Sequence, residues 1–244
     1  MYSVGSDNRP PSDVELDLVT VACNNSHVVS EQIRLIRANL SDPFAYTVID
    51  NSSDQSRASE IELLCSRHDV PYIRLPRSRS SAYDPSSSHG RALNWAWTNY
   101  ILPRSVRYFG FLDHDVFPLR PTSLIGHLHG QPVWGHLQTR GSRWYLWPGL
   151  CVFDARWLGR RRLDFMPGPG FDVGGRLYEL LSSSLSQEDL EWPSLAYGRL
   201  REGGEVPQEH LYETIDDWLH TINASGWMPV AGRDESVASL LRQL

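Results

Sequence analysis

The chain has 244 residues, 41% of them hydrophobic and 21% charged, which suits one large α/β domain able to bury a full core. Its net charge of −6 and pI of about 5.8 exclude a general nucleic-acid binder, which needs a basic footprint to neutralise phosphates. All 23 basic residues are arginine, so Schiff-base chemistry, a catalytic lysine and a Walker-type phosphate loop are excluded as well; any anionic ligand falls to arginine, backbone N–H groups or a metal.

Residues 1–15 are polar and proline-containing at the start and are expected to be flexible. Leu16 to Cys23 reads as a buried strand, stopped by Asn24-Asn25-Ser26, which can cap a helix. Val29, Ile33, Ile36 and Leu40 follow at helical spacing. Tyr46 to Ile49 is a second strand, closed by Asp50-Asn51-Ser52-Ser53-Asp54, and Ala58, Ile61 and Leu64 mark a second helix. Pro71 to Leu75 is a third strand. Strand and helix thus alternate as in parallel βαβ units.

Arg77 to Ser88 is a serine-rich loop, either a surface connection or a substrate-proximal segment. His89 to Tyr100 reads as a helix, and Arg107 to Leu112 as an apolar strand running into Asp113-His114-Asp115. Beyond Pro121, Val133 to Gln138, Arg143 to Trp147 and Leu150 to Phe153 read as short aromatic-rich strands. Pro167-Gly168-Pro169-Gly170 is a turn and Gly175 to Leu185 a helix. From Glu235 onward, Val237, Leu240, Leu241 and Leu244 share one helical face, so the tail is expected to dock on the body. Cys23, Cys65 and Cys151 are far apart and lack metal-type spacing, and no basic-then-apolar leader is evident; a cytoplasmic location is the expectation. No apolar run approaches about 18 residues, so no membrane span is expected.

The residues with the most chemistry are Asp113 and Asp115. Alternate residues of a strand point to the same side, so the two carboxylates leave the sheet together. A free pair repels, and a hard divalent cation, Mn2+ or Mg2+, relieves the repulsion while bridging phosphates. An exposed acidic turn is the plainer alternative, and the buried strand before the pair weighs against it. Asp50 can accept a base N–H or ribose hydroxyl, or simply cap a turn. Arg91, in His89-Gly90-Arg91, can clamp a phosphate or be an ordinary surface residue. Asp172, after the Pro/Gly turn, can act as a general base or as an N-cap. His220, with His210 upstream, can complete a metal site. Trp134, Trp144, Tyr145 and Trp147 can stack on sugar rings or belong to the core.

Taken in order, these segments resemble the GT-A fold glycosyltransferases, especially the family-2 group, over roughly residues 16–225. The resemblance implies an α/β fold with a mixed, mostly parallel central sheet flanked by helices. It implies one domain over 16–244, with 16–120 as the nucleotide-binding half and 121–244 as the acceptor half and C-terminal helix. Asn24 ends the strand that touches the nucleotide, Asp50 matches the acid that contacts the base, and Asp113-His114-Asp115 occupies the D-x-D slot. Asp115 is then the direct metal ligand, and Asp113 lies nearer the ribose or metal. The implied activity is metal-dependent transfer of a sugar from a UDP-, GDP- or dTDP-linked donor to an acceptor hydroxyl, with inversion. The family's late Glu-Asp pair is missing, which leaves Asp172 as the base; the processive Q-x-x-R-W motif is missing too. A non-catalytic sugar- or nucleotide-binding protein is the alternative. A nucleotidyltransferase ranks third, because Asn24-Asn25-Ser26-His27 lacks a glycine loop.

Overall fold

The structure is a computed structural model that describes residues 13–76, 84–159, 161–199, 211–222 and 233–242. A six-stranded sheet runs in the order β3-β2-β1-β4-β7-β6. Its strands are β1 (Leu16–Ala22), β2 (Phe44–Asp50), β3 (Tyr72–Arg74), β4 (Tyr108–Asp113), β6 (Val133–Arg140) and β7 (Arg143–Asp154). The first four are parallel; β7 runs antiparallel to β4, and β6 to β7. A second, antiparallel sheet has the order β5-β10-β9-β8, formed by β5 (Val116–Pro118), β8 (Leu195–Arg199), β9 (Leu211–Ile215) and β10 (Trp218–His220).

The expected alternation holds because each element carries its own local signal. All of β1 is buried, as a strand covered on both faces must be. Helix α1 (Ser26–Asn39) begins where the Asn25 side chain accepts the Val28 N–H. Val29 and Ile33 then pack with Ile61 and Cys65 of α2 (Gln55–Arg67) over Ala22 and Val48. Helix α3 (Pro85–Ala96) starts four residues earlier than its apolar pattern suggests. Asp84 caps it by accepting the Ser87 N–H, and Pro85 takes the first turn, where a missing N–H costs nothing. The helix continues into a π-turn, Trp97–Ile101, whose Trp97 ring lies 4.7 Å from that of Phe109 in the main core.

Two strands expected as separate, Arg143 to Trp147 and Leu150 to Phe153, form the one strand β7. Pro148 and Gly149 do not end it. They sit in an irregularity where the register against β6 shifts between Gly135 and Leu137. The second half of the chain therefore adds β6 and β7 to the same sheet that the first half began, while β5 leaves it for the second sheet. The C-terminal helix, Arg233–Leu241, docks as expected: Val237 and Leu241 are buried against Val28, Leu35, Phe117 and Leu219. Leu244 lies outside the described residues. Among those residues, no helix is long and apolar enough to cross a membrane.

Candidate active site

In an open α/β sheet, ligands bind beyond the carboxyl ends of the strands, where the strand order reverses. Here the chain runs outward from β1 to β2 and β3, then returns to β4 on the other side of β1. The reversal lies between β1 and β4, whose last partners are Val21 and Asp113. A cleft of about 720 Å3 opens at this point, and Asn24, Asp113, Asp115, Asp172 and His220 all line it.

Asp113 ends β4, and its Oδ1 lies 3.1 Å from His89 Nε2 of α3, without the alignment of a full hydrogen bond. Burial works against both charges, yet the attraction outweighs it: His89 is raised above its usual range and Asp113 is held below it. Asp115 is 3% exposed. Burial raises its carboxyl, and the nearby His220 and His114 offset only part of that effect. His220 Nε2 lies 3.8 Å from Asp115 Oδ1, while its Nδ1 hydrogen-bonds Glu213 Oε1 at 2.7 Å. Between the two acids, His114 turns inward, with Nδ1 3.3 Å from the Val21 carbonyl.

Asn24 joins the ends of β1 and β2. Its N–H donates to Ser52 Oγ at 2.7 Å, its Nδ2 to Ser53 Oγ at 2.9 Å, and its Oδ1 accepts the Asp54 N–H. Asp172 also lines the cleft, exposed, with Oδ1 accepting Ser86 Oγ at 2.5 Å and the Val173 N–H at 2.7 Å.

Two expected site residues do not line the cleft. The Asp50 side chain is fully buried and spent on its own turn: it accepts the Ser52 N–H and hydroxyl and the Tyr72 hydroxyl, and pairs with Arg74 at 3.2 Å. Arg91 is exposed on α3 and is not among the residues lining the cleft. The motif around Arg91 instead anchors the segment that carries Asp172. Asn94 donates to Asp164 and accepts the Phe165 N–H, and at Gly90 an added Cβ would stand 2.8 Å from the Phe165 carbonyl oxygen. Gly90→Ala is therefore expected to push this segment off α3 and to cost about 1–3 kcal/mol, read as a lowered urea midpoint. An unchanged midpoint would mean that the close approach is not needed.

The aromatic residues divide. Trp134 stacks on His127 at 4.2 Å, and Trp144 meets Trp192 edge-on at 5.5 Å, both within the core. Tyr145 and Trp147 are buried too but line the cleft, and Trp147 packs against His136 and His220. His210 lies outside the described residues.

Sequence reasoning missed Glu213, His136 and Ser86. The available signal was an acid on β9, two residues before the buried Ile215 and so on the same strand face. An acidic residue facing inward needs a partner, and that partner is His220.

No protein-family model matches this chain, and no curated protein matches it. Solved structures do. TarS of S. aureus is similar at 14% identity and a TM-score of 0.41, over 62% of this chain and 30% of that one. The mannosyltransferase PcManGT of Pyrobaculum calidifontis, in complex with GDP-Man and Mn2+, is similar at 15% identity and a TM-score of 0.43, over 63% of this chain and 48% of that one. The mannosyltransferase Ktr4p of S. cerevisiae is similar at 8% identity and a TM-score of 0.38, over 59% of this chain and 57% of that one. The chain spans less than two thirds of the length of each, and the likeness is one of fold.

Proposed function

We propose that this chain transfers a sugar from a nucleotide-diphospho-sugar to an acceptor hydroxyl with the help of Mn2+ or Mg2+. The observation that carries the reading is the placement of Asp113 and Asp115 together in a cleft at the strand-order reversal. The residues present fit a hard cation. Asp113 Oδ1 is buried, with His89 Nε2 at 3.1 Å but no aligned hydrogen bond, and both acids offer oxygen. Among the described residues, no three His, Cys, Asp or Glu side chains form a ready-made cage. That also fits, since Mg2+ is commonly held by one or two carboxylates with substrate phosphates and water completing its shell. Asp115 and Asp113 would hold the cation, with His220 beside them; when bound, it neutralises charge on the diphosphate leaving group.

The remaining work falls to the protein's own side chains. Asn24 and Ser53 border the cleft at the ends of β1 and β2, where a nucleoside would lie, and Asp50 and Arg74 brace that turn from beneath. Asp172, in the same cleft, serves as general base. It takes the proton of the acceptor hydroxyl as the new bond from oxygen to the anomeric carbon forms and the bond from that carbon to the diphosphate breaks, which inverts the centre. Ser86 and the Val173 N–H fix one oxygen of Asp172 for this role.

Thermal melting with UDP, GDP and dTDP, each with and without Mn2+, tests the reading. One diphosphate with Mn2+ should raise Tm by roughly 5–10 °C at a concentration about 100-fold above its Kd. Absence of any shift with all three would overturn the proposal. Binding without transfer to any hydroxyl acceptor would favour the non-catalytic alternative.

A further inference from the structure

Glu213 is 4% exposed and lies on β9, outside the acidic triplet. A buried carboxylate is costly unless its oxygens are bonded. Three other strands supply partners. His220 of β10 donates through Nδ1 at 2.7 Å, Tyr197 of β8 stands directly opposite Glu213 in the ladder, and His136 Nδ1 of β6 approaches to 3.6 Å. The contact to His220 is the tightest of these, so it is the one that satisfies the buried carboxylate.

The contact between Glu213 and His220 is built into the backbone. The two residues stand directly opposite each other in the β9–β10 ladder. Strand β10 is in turn laced to the acidic triplet: His220 pairs with Val116 of β5, and the Thr221 N–H donates to the Asp115 carbonyl at 3.0 Å. An ionised carboxylate only accepts, so His220 must carry a proton on Nδ1. The ring atom left facing Asp115 is Nε2. Trp147, with its ring centroid 4.6 Å from that of His220, limits rotation of the imidazole.

We infer that Glu213 is a positioning residue for the cation–diphosphate centre: by accepting the Nδ1–H of His220, it presents Nε2 to Asp115 and to the group that Asp115 holds. The inference rests on the function proposed above and assigns to it a residue that acts through His220. Such supporting carboxylates set the tautomer and orientation of the imidazole they hold, and their loss typically weakens metal binding by about 10–100-fold.

Two measurements test it without any turnover assay. Proton–nitrogen-15 correlation spectra of the histidine rings, recorded at about pH 9 where an imidazole is neutral, report the tautomer. His220 should be Nδ1–H in the wild type and in Glu213→Gln, whose amide oxygen accepts the same bond, and should lose that preference in Glu213→Ala. Binding of Mn2+ alone, and of Mn2+ with UDP or GDP, is followed by the paramagnetic resonance of the free ion. It should weaken roughly 10–100-fold in Glu213→Ala and stay near wild type in Glu213→Gln. An Nε2–H tautomer in the wild type, or equal Mn2+ binding in all three proteins, overturns the inference and leaves the proposed function standing. A wild type that binds no Mn2+ with any of these probes overturns both. Should Glu213→Ala fail to fold, the wild-type tautomer and the Gln variant still decide.

Discussion

Asp115→Asn should lower Mn2+-dependent sugar transfer, or donor hydrolysis, by roughly 100- to 1,000-fold, the usual loss when a group stabilising leaving-group charge is removed. The same substitution should leave the fold as stable as before, or slightly more so. The sign follows from burial. Asp115 is 3% exposed, and desolvation raises its carboxyl, so the fold prefers the neutral form. A group raised in this way detracts from stability as pH climbs through its folded value, where the unfolded chain is already ionised. Asn keeps the shape and removes that charge. Activity and stability therefore move apart, which distinguishes a functional acid from a structural one. The check is release of nucleoside diphosphate from UDP-, GDP- and dTDP-sugars, with Tm measured on the same samples. Turnover within about tenfold of the wild type would show that Asp115 is not at the reacting centre.

Asp17→Ala should have the opposite profile: a large loss of stability, with any effect on activity secondary to it. Asp17 lies in β1, between β2 and β4, and is 1% exposed. Arg104 grips both its oxygens, from Nε at 2.7 Å and Nη2 at 2.8 Å, with the guanidinium 4.7 Å from the centroid of the Tyr100 ring. Removing one member of a buried pair strands the other charge and typically costs about 3–5 kcal/mol. Urea denaturation should show that loss as a lowered midpoint with an unchanged slope. A loss below about 1 kcal/mol would mean that water reaches Arg104 once Asp17 is gone and rehydrates it.

Much of the architecture of the first half was legible in the chain. The strands ending at Ala22, Asp50 and Asp113 and the helices between them follow from apolar periodicity and from caps a few residues away, as at Asn25 and Asp54. Asp113, Asp115 and His220 were legible as candidates because each follows or ends an apolar segment, and Asp172 because it follows a Pro/Gly turn; the fold brings all four to one cleft. Asp50 shows where such reading stops. An acid after a strand looks the same whether it meets a ligand or its own turn, and the choice was made by Tyr72 and Arg74, on a neighbouring strand more than twenty residues on.

What the sequence by itself determined are the features set by short-range physics: the βαβ alternation, the helix starts at capping residues and the docking face of the C-terminal helix; the two acids were expected to share one strand face, but β4 ends at Asp113 and Asp115 stands in the turn after it. Tertiary structure alone decided the union of β6 and β7 with the first sheet, the packing role of Gly90 and the Glu213–His220–Asp115 line. The reason is distance along the chain. Periodicity and caps are read within a turn or two, whereas Glu213 and Asp115 stand close only because β10 pairs with both β5 and β9, and no local pattern encodes that pairing.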